Sequence, residues 1–100
     1  MSLEECREVM SFQDVWRAVG LDAQAAARMV PGKAVKIASP FRPDKKPGCS
    51  LFFGEDGRGR FMDFAAGECF DDVAVIAAAR NTSMKDAVKV FHELAGVPFG

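Results

Sequence analysis

The chain has 100 residues, 13 Lys and Arg against 14 Asp and Glu, and 49% hydrophobic residues, with nine Phe. This apolar content excludes a disordered chain, no apolar run approaches the roughly 18 residues of a membrane span, and the charged N-terminus lacks the apolar stretch of a signal peptide. We therefore expect a cytoplasmic protein without a membrane partner, in which Cys6, Cys49 and Cys69 are reduced thiols and not a disulfide framework.

The first third of the chain predicts short helices. Ser11 precedes a run with helical apolar spacing, which Gly20 ends. Asp22 is placed to cap a third segment over residues 23–30, and Pro31-Gly32 terminates it. We therefore expect residues 1–30 to be helical.

The middle of the chain predicts a small antiparallel sheet. Residues 34–38 alternate as a half-buried strand does, and residues 39–48 form a loop with three prolines. Residues 50–53 and 60–64 predict two further strands, and Asp56-Gly57 supplies the turn between them. Cys69 is expected in the loop that follows, as a reactive thiol or as a partly buried structural one.

The last third predicts two helices. Asp71 and Asp72 precede the first of them, over residues 73–80, and their charge suits a helix start. Ser83 begins the second, which Gly96 ends. The whole chain thus predicts an α+β fold in a single domain over residues 1–100. It divides into a helical part (1–30), a β core (33–66) and a second helical part (71–96).

No arrangement of catalytic or metal-binding residues is evident in the sequence. It holds no Gly-rich phosphate loop and no Ser/His/Asp pattern. His92 is expected on the polar surface of the last helix. The three cysteines and His92 never form the close pairs of a structural zinc site. We therefore expect no enzyme activity, no metal and no cofactor.

Charge is distributed unevenly along the chain. Residues 28–60 hold eight Lys and Arg against three Asp and Glu, whereas both flanking segments are acidic. Such a segment is typical either of a polyanion-binding surface or of an ordinary solvated surface. The candidate nucleic-acid contacts are Lys33, Lys36, Arg42, Lys45, Lys46, Arg58 and Arg60.

One segment of the basic middle carries a family resemblance. Residues 39–52 are Ser-Pro-Phe-Arg-Pro-Asp-Lys-Lys-Pro-Gly-Cys-Ser-Leu-Phe, and Phe-Met-Asp-Phe-Ala-Ala-Gly follows at 61–67. With the hairpin between them and the two closing helices, this order resembles the N-terminal zinc-binding domain of bacterial and phage DNA primases. The resemblance covers roughly residues 12–96 and implies a zinc-ribbon-like sheet that contacts single-stranded template DNA.

The chain departs from that family at the metal. The family's four zinc ligands would fall at Ser39, Arg42, Asp63 and Ala66, which do not form a thiolate and imidazole site. The resemblance therefore implies a degenerate, zinc-independent form. Loss of zinc removes a folding free energy on the order of 10 kcal/mol. We expect two features to compensate for it, an Arg42–Asp63 salt bridge and a core built from Phe side chains.

Five Phe side chains have two interpretations. They either pack in the core or, for one or two exposed rings, stack against bases. The residues concerned are Phe41, Phe52, Phe53, Phe61 and Phe64.

Two functions are compatible with these features. The first is a non-catalytic module that binds single-stranded DNA through a basic β face, in DNA replication or a mobile-element setting, with replication proteins or a neighbouring catalytic domain as further partners. The alternative is a protein-interaction or regulatory domain that kept the fold but lost zinc and DNA binding. Cations that share one face would favour the first function. Interleaved acids at Asp44, Glu55 and Asp56 would favour the second.

Overall fold

The structure, a computed structural model, describes residues 3–42 and 47–99. Within them, helices and strands follow one another in an α+β order, and the predicted fold class is confirmed. The elements are α1 (Leu3–Val9), α2 (Phe12–Ala18), α3 (Ala23–Ala27), β1 (Val35–Ile37), β2 (Cys49–Phe53), β3 (Gly59–Asp63), β4 (Glu68–Phe70), α4 (Asp72–Arg80) and α5 (Met84–Ala95).

Polar caps start the N-terminal helices where the sequence predicts. The Asp14 amide donates to Ser11 Oγ, and the Ser11 amide donates to the Asp14 carboxylate, both at 3.1 Å. This reciprocal pair is a capping box, and Asp22 caps α3 in a similar way. Helix α3 ends at Ala27, three residues earlier than predicted, because the chain then reverses through a tight turn with Gly32 at a φ of 85°.

The four strands form one antiparallel sheet in the order β1-β2-β3-β4. Alternate side chains of a strand point to opposite faces, and paired residues share a face. The register therefore divides the sheet into two sets of side chains. The covered face carries Val35, Ile37, Cys49, Leu51, Phe53, Phe61 and Phe70. The open face carries Lys36, Ser50, Phe52, Arg60, Met62 and Cys69.

The core lies between the covered face and the helices. Phe61 is fully buried, and its ring centroid lies 5.6 Å from that of Trp16, 5.5 Å from Phe41 and 5.2 Å from Phe70. The Trp16 indole N–H donates to the Asp22 carbonyl oxygen at 2.9 Å, so its polar atom is satisfied. The sheet residues in this core all belong to the covered face.

A second apolar cluster joins α1, α2, α4 and α5. Beside it, the Arg7 guanidinium binds both Asp72 carboxylate oxygens, at 2.9 and 2.8 Å. Asp72 is buried, and this hydrogen bonding raises the pKa of Arg7. The predicted helix-start acids therefore have distinct roles, because Asp71 caps α4 while Asp72 holds α1 against it.

Two predictions about single residues were wrong. Cys69 lies in β4, opposite Met62, and its side chain is exposed. Three residues are too few for a periodic signal, and the strand exists because a turn through Gly67 returns the chain to β3. His92 is buried, since the chain after α5 folds back over it: its Nδ1 lies 3.1 Å from the Val97 carbonyl oxygen, and its ring contacts Phe99.

Candidate nucleic-acid interface

A cavity of about 330 Å³ lies on the open face of the sheet. Ser50, Phe52 and Met62 are neighbours on β2 and β3, and they form part of its lining. Phe64 follows β3 on the same side, and the turn before β1 contributes Lys33. The cavity thus combines an apolar wall with a cation at its rim.

The open face exposes aromatic surface that the core does not use. Phe64 is 64% exposed, the highest value among the exposed large apolar side chains of residues 3–42 and 47–99. Phe52 is half-buried, and neither ring belongs to the two core clusters. Phe41, Phe53 and Phe61 pack in or against the core. Core packing is thus confirmed for three of the five Phe side chains, whereas base stacking by Phe52 or Phe64 stays a prediction.

Three of the predicted cations lie at or beside the open face. Lys36 is on β1 opposite Ser50, and Arg60 is on β3 opposite Phe52. Lys33 is exposed and borders the cavity. Lys36 also borders a second cavity, of about 340 Å³, with Arg28 at the β1 edge of the sheet. The lining of that second cavity also includes the acid Asp22, so its charge is mixed.

The remaining predicted cations are not gathered there. Arg58 binds Glu4 of α1 at 2.9 Å, which raises the pKa of Arg58 and lowers that of Glu4. Arg42 binds Asp63. Their contribution to nucleic-acid binding stays a prediction. Lys45 and Lys46, together with Asp44, lie outside the described residues.

The four positions at which the resemblance would place zinc ligands lie at or just beyond the ends of β1 and β3. The predicted Arg42–Asp63 salt bridge is confirmed: Nε donates to Oδ2 at 3.1 Å and Nη2 donates to Oδ1 at 3.0 Å. Asp63 Oδ1 also accepts from the amides of Ala65 and Ala66, at 3.1 and 3.2 Å. On the other turn, Ser39 Oγ accepts from the Phe41 amide at 3.2 Å. A buried carboxylate thus ties both turns together.

This arrangement is an ion-pair junction and does not fit a zinc site. Its one carboxylate is already bonded to a guanidinium, and hydrogen bonding from Arg42 holds the pKa of Asp63 below its ordinary value. Ser39 and Ala66 offer no thiolate or imidazole. In residues 3–42 and 47–99, no group of three or more His, Cys, Asp or Glu side chains is placed to hold a metal ion.

Comparison with known proteins gives no relative to interpret this site. No protein-family model, no curated protein and no solved structure matches the chain. None of the helices in the described part of the chain is long and apolar enough to cross a membrane. The site must therefore be interpreted from its own geometry.

Sequence reasoning missed how the open face is assembled. The Phe and Lys residues were visible as candidates, but their face depends on the β2–β3 register, in which Phe52 pairs with Arg60 and Ser50 with Met62. The alternation of side chains along residues 60–64 already indicated which of them share a face. It places Arg60, Met62 and Phe64 on one side and Phe61 and Asp63 on the other.

Proposed function

We propose that the chain is a non-catalytic module that binds single-stranded DNA on the open face of its sheet. The observation that carries this proposal is the juxtaposition of exposed Phe64, half-buried Phe52 and Lys33 around one cavity. Unpaired bases stack on the aromatic rings, and the lysines contact phosphate. Lys36 extends the cationic surface beyond the cavity, and Arg60 lies on the same face in an ion pair with Asp56.

The aromatic rings favour a single strand over a duplex. Stacking on a protein ring needs a base whose π-face is free, which a paired and stacked base does not offer. Each stacked base contributes about 1–3 kcal/mol with little dependence on sequence. With two rings, Lys33 and Lys36, the open face would engage a short stretch of strand, and the dependence of affinity on salt concentration would report its phosphate contacts.

The primase resemblance supports a setting in DNA replication or a mobile element. In that family the turns that carry the zinc ligands lie together, and here the turns around Arg42 and Asp63 also meet. An ion pair would then have replaced the metal as the link between them. In such a setting, we propose replication proteins or a neighbouring catalytic domain as further partners.

A protein-interaction module is the second candidate function. The observation that favours it is the neutralisation of predicted cations: Arg42, Arg58 and Arg60 are each paired with a carboxylate. Asp56, one of the interleaving acids, is the partner of Arg60. Under this alternative the cavity on the open face would receive an apolar side chain of a partner protein.

Fluorescence anisotropy of a labelled oligonucleotide tests the proposal. We expect micromolar binding of a single-stranded oligonucleotide at low salt, which weakens steeply toward physiological salt. A duplex of the same length should bind more weakly. The variant Lys33→Gln/Lys36→Gln should lose about tenfold in affinity. The slope of log affinity against log salt concentration should become shallower by about 1.4, because each of two lost phosphate contacts accounts for about 0.7.

A matched variant separates local contact from net charge. Lys85→Gln/Lys89→Gln removes the same charge from α5, which packs against α1, α2 and α4. It should bind the oligonucleotide nearly as the parent chain does. Equal losses in the two variants, or no binding even at low salt, would contradict the proposed interface and favour the protein-interaction module.

A further inference from the structure

Arg60 lies on the open face, but its guanidinium is bound by the hairpin turn. Its Nη2 donates to Asp56 Oδ2 at 2.8 Å, and its Nη1 donates to the Gly59 carbonyl oxygen at 2.9 Å. Both contacts direct the guanidinium toward the hairpin turn between β2 and β3. On β3, however, Arg60 is the direct cross-strand neighbour of Phe52. A side chain placed to meet a phosphate beside a stacking ring is thus already neutralised.

Asp56 has two separate tasks in the turn. Its Oδ1 accepts from the Arg58 amide at 3.0 Å, which closes an Asx turn, while its Oδ2 binds Arg60. The turn is also closed by main-chain hydrogen bonds between Gly54 and Arg58 at 2.8 Å and between Gly57 and Gly54 at 3.0 Å. The hairpin therefore does not depend on the ion pair.

We propose that Asp56 is an intramolecular competitor of phosphate for Arg60, so that the hairpin turn sets the affinity of the open face for single-stranded DNA. This inference rests on the proposed function. The pair is partly exposed, with 25% of the Arg60 side chain and 48% of the Asp56 side chain open to solvent. A phosphate that approaches Arg60 must first displace the carboxylate, so Arg60 adds little to the affinity of the parent chain. Asp56 then repels the strand.

Asp56→Asn isolates the competition. The amide oxygen of Asn can still accept from the Arg58 amide, so the Asx turn is kept while the charge on Arg60 is released. We expect the single-stranded oligonucleotide to bind about three- to tenfold more tightly. The slope of log affinity against log salt concentration should become steeper by about 0.7, which corresponds to one additional phosphate contact.

The neighbouring carboxylate provides the control. Glu55→Gln removes the same charge one residue away without touching the Arg60 pair, and it should change affinity less than about twofold. Asp56→Ser, which also keeps a side-chain acceptor for the turn, serves as a second variant and should reproduce the gain. Thermal unfolding of each variant checks that the hairpin is intact.

Arg60→Gln completes the cycle. In the parent chain it should weaken binding little, because Arg60 is already neutralised, whereas in the Asp56→Asn background it should abolish the gain. The inference is overturned if Asp56→Asn and Glu55→Gln bind alike, or if Arg60→Gln has the same effect in both backgrounds. If the parent chain binds the oligonucleotide and Asp56→Asn binds it with the same affinity, this inference alone is overturned. Absence of binding in both chains overturns the proposed function as well.

Discussion

The two faces of the sheet are built from the same strands but have opposite relations to the rest of the chain. Phe61 and Arg60 are adjacent in β3, yet Phe61 is fully buried among aromatic rings while Arg60 lies on the open face. The covered face meets the helices, and its side chains form the core. Substitutions on that face should therefore change stability, whereas those on the open face should change binding.

The comparison also shows why the open face is a candidate site. Apolar side chains that contribute to folding are normally buried, and an isolated exposed one needs no explanation. Phe64 and Phe52 differ from isolated exposed residues because they share a cavity with a lysine. Phe99 is exposed to a similar degree and also lines a cavity with a lysine, Lys89, but that cavity is formed by α5 and the segment after it, and its lining includes Glu93.

Phe61→Ala should have the largest effect on stability. The ring contacts three other aromatic rings at centroid distances of 5.2 to 5.6 Å, and truncation would leave a cavity among them. We expect the free energy of unfolding to fall by about 3–5 kcal/mol, measured by urea denaturation. A loss under about 1 kcal/mol would contradict the assignment of Phe61 to the core.

Asp63→Asn should have the next largest effect on stability and should change its pH dependence. Asn keeps an acceptor for the amides of Ala65 and Ala66 but loses the charge that binds Arg42. The folded-state pKa of Asp63 is lowered, so its carboxylate stabilises the fold above the ordinary pKa of about 3.9. That stabilisation is lost as pH falls through the lower folded-state pKa.

The measurement for this variant is thermal unfolding at several pH values. Asp63→Asn should be clearly less stable than the parent chain at pH 7, and the difference should shrink as pH falls below about 4. Glu68→Gln removes a carboxylate from the exposed position of β4 opposite Asp63 and provides the control. A difference between Asp63→Asn and the parent chain that is independent of pH would contradict the ion-pair explanation.

Gly59→Ala should have a moderate effect through a single steric contact. A Cβ at Gly59 would lie 2.5 Å from Phe12 Cδ1 and 2.7 Å from Phe12 Cβ, so α2 must move away from the sheet. We expect a loss of about 1–3 kcal/mol in urea denaturation. Gly54→Ala is the control in the same hairpin, since the nearest atom to its Cβ would be the Asp56 carboxylate oxygen, at 3.2 Å. Equal losses of stability in Gly59→Ala and Gly54→Ala would contradict the close packing of α2 on β3.

Local signals in the sequence were sufficient to predict most element positions. Ser11, Asp22 and Ser83 each cap the helix predicted after them, because capping depends on residues three apart in the chain. The Arg42–Asp63 pair was predicted from the resemblance to the primase zinc-binding domain, not from local chemistry. Helix α5 likewise ends before Gly96, as predicted, and Gly96 adopts a left-handed conformation.

What could not be predicted depends on contacts distant in sequence. Helical periodicity places His92 beside polar neighbours, but the returning segment that buries it lies beyond the helix. Strand β4 has no pattern of its own and exists through its pairing with β3. The pairing of Arg60 with Asp56 spans only four residues, yet it follows from the geometry of the hairpin and not from spacing alone.

Phe64→Ala should have the smallest effect on stability and the clearest effect on binding. Its ring is mostly exposed and lies outside both core clusters, so the free energy of unfolding should change by less than about 0.5 kcal/mol. If a base stacks on the ring, affinity for the single-stranded oligonucleotide should fall about five- to one-hundredfold, measured by fluorescence anisotropy.

Phe99→Ala is the matched control for Phe64→Ala, because it removes an exposed ring far along the chain from the sheet. It should leave oligonucleotide binding unchanged. Phe64→Trp enlarges the stacking surface and should keep or increase the affinity. If both Ala variants bound the oligonucleotide as the parent chain does, Phe64 would not be a stacking residue. The greater solvent exposure of the open face would then not be linked to base stacking on Phe64.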